Sequence, residues 1–239
     1  MRRREILSLG VAVGAVPAAR LLAAEMDAFP HDMALDPAFV PKPAPGGAPQ
    51  VLTRDIDRRT ITAVFDRFIP GDELGPSASA AGCVEFLDAQ LAGPFGQGAT
   101  LYRAGPKAVG EDALMQKPQF IATPRERYET GLRALEAYAR RTHQGSFADL
   151  KPEQQDAILT GMEKGEIELA PEVNTRAFFE LMLANAREGY FADPLYGGNK
   201  DMAGWKMIGF PGARYDYRLY ADRTGEDLGL EPVSLVPKA

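Results

Sequence analysis

Residues 174–187 read Asn174-Thr175-Arg176-Ala177-Phe178-Phe179-Glu180-Leu181-Met182-Leu183-Ala184-Asn185-Ala186-Arg187, and this stretch decides the fold class. Asn174 is a good N-cap. The residues after it are apolar on nearly every side of a helix, a pattern that marks a helix buried centrally rather than one lying on a surface. Other helical segments gather around it. From Asp57, the residues Ile61, Val64, Phe65 and Phe68 share one face, and Pro70-Gly71 ends the run. A second helix is expected over 78–91, stopped by Gly93-Pro94. Thr123, Pro124 and Glu126 make a capping box with proline at the first helical position. The helix they start presents Tyr128, Leu132, Leu135 and Tyr138 and is expected to run to about Thr142. A further helix over 152–164 presents Ile158, Leu159 and Met162. No alternating strand pattern or internal repeat is found. The fold class is therefore mainly α: a single helical domain with long irregular loops rich in Gly, Pro and aromatic residues.

The central helix leads into Tyr190–Gly212, a segment that no common secondary structure explains. Gly197, Gly198, Gly204, Gly209 and Gly212 break both helical and strand periodicity. Eight of the 31 residues from Tyr190 to Tyr220 are aromatic, against thirteen in the rest of the chain. Aromatic side chains are costly to leave unpacked, so the segment is read as a surface for a specific neighbour. After Tyr220 the chain is polar, then loosely apolar with two prolines, and is expected to be extended. Residues 95–120 are read as irregular chain.

At the other end, Arg2, Arg3 and Arg4 precede an apolar run from Ile6 to Pro17, then Leu22-Ala23-Ala24. That order is the order of an export signal, and its apolar part is short for a membrane span of about 20 residues. Arg3-Arg4-Glu5-Ile6-Leu7 is similar to the twin-arginine signal used to carry folded proteins across a membrane. Residues 1–24 are accordingly expected to be a twin-arginine signal, with the mature chain periplasmic. Residues 25–52 contain six prolines and read as an extended N-terminal arm. Residues 53–239 form the helical domain.

Of 27 basic and 33 acidic residues, four arginines and one glutamate lie in the signal, leaving 23 and 32, a net charge of −9. Nucleic acid is a poor match for that balance. The one cysteine, Cys83, has two readings: buried and inert in the core, or linked to another chain by a disulfide.

Catalytic patterns are mostly missing. His31 lies in the arm and His143 at a helix end, neither with an HExxH or CxxC companion, so no metal site is expected. No CxxCH marks a c-type haem, and no GxGxxG follows a strand. Asp193 and Asp201 flank the glycine segment and are the one carboxylate pair worth weighing as acid and base. Asp193 precedes Pro194, however, where aspartate commonly caps a turn.

Two blocks carry a family resemblance. Asp193-Pro194-Leu195-Tyr196-Gly197-Gly198-Asn199, with Gly204-Trp205-Lys206 and Ile208-Gly209-Phe210-Pro211-Gly212, is one. Ile69-Pro70-Gly71-Asp72-Glu73 with Val84-Glu85-Phe86-Leu87-Asp88 is the other. The chain resembles the gluconate 2-dehydrogenase subunit 3 family. That resemblance implies a non-catalytic small subunit with no cofactor of its own. Its implied partners are a flavoprotein of the glucose-methanol-choline (GMC) oxidoreductase type, which carries FAD, and a membrane-bound multihaem cytochrome c. The small subunit then supports folding and export of the flavoprotein, and Tyr196, Gly197, Gly198, Asn199, Trp205 and Phe210 are expected at the interface. Trp205 has a second reading, closure of the chain's own core. An independent periplasmic carbohydrate- or peptide-binding module is the alternative function.

Overall fold

A computed structural model describes residues 44, 47–99, 101, 122–214 and 216–235. The expected export signal with Arg3 and Arg4, most of the arm, and most of 95–120 lie outside those residues. Among the described residues the chain is mainly helical and has no sheet. Six α-helices are described: α1 (Asp55–Phe68), α2 (Cys83–Ala92), α3 (Pro124–His143), α4 (Pro152–Lys164), α5 (Thr175–Phe191) and α6 (Ala203–Ile208). The one strand-like pairing among the described residues is a parallel bridge between Gly212 and Val233.

Local sequence accounts for most helix ends. Thr123 Oγ1 accepts from the Glu126 N–H at 3.2 Å, and Glu126 Oε2 accepts from the Thr123 N–H at 2.7 Å, so the capping box of α3 is complete. α4 begins at Pro152 and stops where Gly165 turns left-handed at φ 71°. Asn174 Oδ1 accepts from the Ala177 N–H at 3.0 Å to start α5.

Two helices depart from expectation. α2 starts at Cys83 rather than residue 78, because Gly82 adopts φ 86°, which the right-handed helix excludes. α5 runs one turn further than Arg187. Gly189 stays helical there, and a Cβ on it would lie only 3.2 Å from Cys83 Cα; its missing side chain lets α2 and α5 approach closely.

α5 occupies the centre, packing against all five other helices. Phe178, Met182 and Tyr190 of α5 are buried against Ile61 and Phe65 of α1, Leu87 and Leu91 of α2, Tyr128 and Leu132 of α3, and Met162 of α4 in one core cluster. Burying such side chains contributes roughly 1.5–3 kcal/mol each. Tyr128 places its hydroxyl in this apolar interior, where it donates to Asn185 Oδ1 at 2.8 Å. Its ring meets Phe178 edge-on at 5.7 Å.

The root of the arm is fastened to the same body. The Asp88 carboxylate on α2 accepts three backbone N–H groups, from Gln50 (2.7 Å), Val51 (3.0 Å) and Leu52 (2.7 Å). Leu52 is thereby buried in the core, and the Ala44 N–H donates to the Leu195 carbonyl at 2.7 Å. Chain read from sequence as the end of a tether is, from residue 50, part of the packed structure.

Candidate functional site

The Gly- and aromatic-rich segment begins where α5 ends, and Asp193 organises that junction. Its Oδ1 accepts from the Leu195 N–H (2.9 Å) and the Ser234 hydroxyl (2.7 Å), while Oδ2 accepts from the Leu235 N–H (2.9 Å). Both oxygens are committed to holding a turn and the C-terminal segment. Asp193 is therefore a turn cap and a tail anchor, the role commonly taken by an aspartate before proline. Asp201 is exposed and sits in a left-handed backbone conformation at φ 56°.

Asn199 is fully buried, and its side chain ties the loop in both directions. Nδ2 donates to the Ala192 carbonyl at 2.8 Å, and Oδ1 accepts from the Gly204 N–H at 2.8 Å. Its backbone is left-handed at φ 46°, a conformation asparagine adopts more readily than most side chains. Lys200 N–H donates to the Ala81 carbonyl at 2.9 Å, fixing the loop to the turn before α2. Two glycines are required by close approach: a Cβ on Gly198 would collide with the Gly189 carbonyl, and one on Gly204 with the Tyr190 carbonyl. The glycines thus press the loop onto the end of α5.

Trp205, on the short helix α6, is 5% exposed. Its Nε1–H donates to the Phe191 carbonyl at 2.7 Å, and its ring meets Phe210 edge-on at 5.2 Å. The core reading of Trp205 is the one its placement matches. Among the residues expected at an interface, Gly198, Asn199 and Trp205 point inward, Gly197 is half-buried, and Tyr196 and Phe210 are exposed. Two residues that sequence reasoning missed, Met207 and Ile208, share the exposed side of α6. Met207, two residues past Trp205, falls on the far side of α6, and Ile208 is the last residue of that helix. Nine of the eleven exposed large apolar side chains among the described residues fall between Phe191 and Leu235.

Beside this face, Trp205, Lys206, Gly209 and Phe210 form one wall of a cleft of about 560 Å³, and Asp227, Gly229, Leu230, Glu231 and Pro232 form the other. Cys83 is fully buried, and burial pushes its thiol up to about 12. That is the core reading of this residue, away from any surface where a second chain's sulfur could reach it. His143 Nδ1 pairs with the Gln154 side-chain amide at 3.2 Å. No group of three potential metal ligands occurs among the described residues. No described helix is long and apolar enough to cross a membrane.

The architecture is thus that of a helical module whose most elaborate feature is a loop locked from within that leaves Tyr196, Met207, Ile208 and Phe210 exposed. The family model for gluconate 2-dehydrogenase subunit 3 matches residues 55–212, and the chain belongs to that family, which places it among the small subunits of dehydrogenase complexes. The match runs from the first residue of α1 to Gly212, so it takes in the six described helices and the bonds of Asn199 and Trp205, while Ser234 and Leu235, which Asp193 holds, lie beyond it. Comparison with curated proteins and with solved structures found no further match.

Proposed function

We propose that this chain is the non-catalytic small subunit of a periplasmic, FAD-dependent dehydrogenase of sugars, sugar acids or glucosides. It supports folding, export and assembly of a catalytic flavoprotein of the GMC type, with FAD held by that partner. A multihaem cytochrome c is the third component, carrying electrons onward. The observation that carries the reading is the concentration of exposed apolar side chains on one C-terminal segment of a chain whose family forms dehydrogenase complexes. Exposed apolar side chains gathered in one stretch of chain support an association role. The inward locking of the same segment supports a docking role, because a surface ordered in advance loses less entropy on binding.

Co-expression with the catalytic flavoprotein tests this. The flavoprotein is expected in the periplasm in FAD-loaded, soluble form with the intact chain. It is expected to remain cytoplasmic when Arg3 and Arg4 are both changed to lysine. Equal folding and export of the flavoprotein without this chain would sink the proposal.

A further inference from the structure

We infer that the cleft between α6 and the returning C-terminal segment receives an extended stretch of the catalytic subunit, one that carries an apolar anchor beside a basic residue. This rests on the subunit reading above and specifies how the partner is gripped.

The two walls come from distant parts of the chain but are held together at their base. Ala213 N–H donates to the Val233 carbonyl at 2.7 Å, and Val233 N–H donates to the Pro211 carbonyl at 3.2 Å. The Asp193 carboxylate then holds Ser234 and Leu235. Between these fixed ends the segment leaves the body and returns, with residues 216–227 almost wholly exposed. Its inner face meets α6 across a space of about 560 Å³, within the range of volumes that hold a ligand of several residues' bulk.

Three features select an extended polypeptide. The apolar part of the lining comes from Phe210, against which Trp205 packs edge-on, and from Leu230 and Pro232 on the facing wall. The backbone of the second wall is non-helical, and the N–H groups of Leu230 and Glu231 donate to no acceptor among the described residues. In an extended chain adjacent N–H groups point to opposite sides, so one of these two can donate to a strand laid in the cleft, the contact that strand addition uses. The rim carries the carboxylates of Asp227 and Glu231, and neither enters an ion pair among the described residues. The neighbouring arginines are otherwise engaged: Arg218 with Asp216, Arg223 with Glu226, and Arg214 with the Glu231 carbonyl. Among the described lining residues Lys206 is the one cation, and Asp227 Oδ1 also accepts from the Gly229 N–H at 2.9 Å, so the cleft carries two carboxylates against one lysine, a balance that suits a basic side chain from outside.

The test uses the full chain and the purified catalytic flavoprotein. Asp227→Lys with Glu231→Lys is expected to weaken association tenfold or more while leaving the unfolding midpoint of the chain unchanged within about 2 °C. Asp222→Lys, on the same segment outside the cleft, is expected to change affinity less than twofold. A double reversal that binds within twofold of the parent overturns the inference. Binding of gluconate or glucose to the isolated chain, lost in the double reversal, also overturns it and assigns the cleft to a sugar. Failure of the parent chain itself to bind the flavoprotein instead removes the subunit reading, whatever the cleft does.

Discussion

Replacing Trp205 and Phe210 separately by alanine should divide stability from association, although the two rings touch. Trp205 is 5% exposed, so nearly all of its surface is withdrawn from water. A buried aromatic covers roughly 150–250 Å², which at about 25 cal/mol per Å² gives an upper bound of about 4–6 kcal/mol. Measured losses for such truncations run about 3–5 kcal/mol. Trp205 sits on a six-residue helix at the edge of the core, where the site can partly collapse, so about 3 kcal/mol is expected. The Phe191 carbonyl it leaves behind can turn to water. For a chain of this size that loss lowers the thermal midpoint by roughly 6–12 °C. Phe210 is 43% exposed, and its truncation should cost about 1 kcal/mol or less in the isolated chain. At an interface, however, a buried aromatic anchor is worth about 2 kcal/mol or more, or roughly a 30-fold change in Kd. Calorimetric unfolding of each variant and titration against the catalytic flavoprotein read the two effects. A Trp205→Ala chain that melts within 2 °C of the parent yet fails to bind would refute the assignment of roles. So would a Phe210→Ala chain that binds within twofold.

The arm root and the cysteine give two further expectations. Asp88→Asn keeps the shape but replaces one acceptor oxygen with a donor. Because Oδ2 takes the Gln50 N–H while Oδ1 takes those of Val51 and Leu52, at least one amide must lose its partner. Hydrogen exchange at residues 50–52 should quicken about tenfold or more, with a global loss of about 1–3 kcal/mol; unchanged exchange would show that the carboxylate does not hold the arm. Cys83 should resist a thiol reagent at pH 8 in the native chain and react once per chain in denaturant. Its folded value is raised from the ordinary 9.0 to about 12 by burial, so the thiol's contribution to stability is intact below pH 9 and is lost as pH climbs toward 12. Rapid native labelling would contradict its burial.

The helices were legible because their signals are local. Thr123 with Glu126, Pro152, and Asn174 each announce a start through groups within three residues. The start of α2 was not legible: Ala78–Ala81 are good helix formers, and the left-handed turn at Gly82 is set by the loop of Gly197 and Lys200 packing over it. The same limit hid α6. Its approach runs through Asn199, Asp201 and Met202, three non-glycine residues with positive φ, a conformation that only tertiary contacts make tolerable. Sequence marked this segment out by its composition but could not show which way each side chain faces. The facing of Trp205 depends on how closely Gly198 and Gly204 let the loop approach α5, and that distance is a property of two elements together.

This dependence explains how so unusual a composition keeps apolar side chains exposed. A docking loop needs exposed apolar side chains, and left to themselves such side chains collapse onto the nearest core. The segment resists collapse because its inner positions are already filled. Trp205 is buried, Asn199 uses both ends of its amide, and Asp193 uses both its oxygens. Met207, Ile208 and Phe210 then have nowhere inward to go. Small residues at Gly198 and Gly204 bring the backbone onto α5 closely enough for those inner bonds to form. A side chain at either glycine would lift the loop, free the apolar residues to turn inward, and remove the surface without touching a single residue on it.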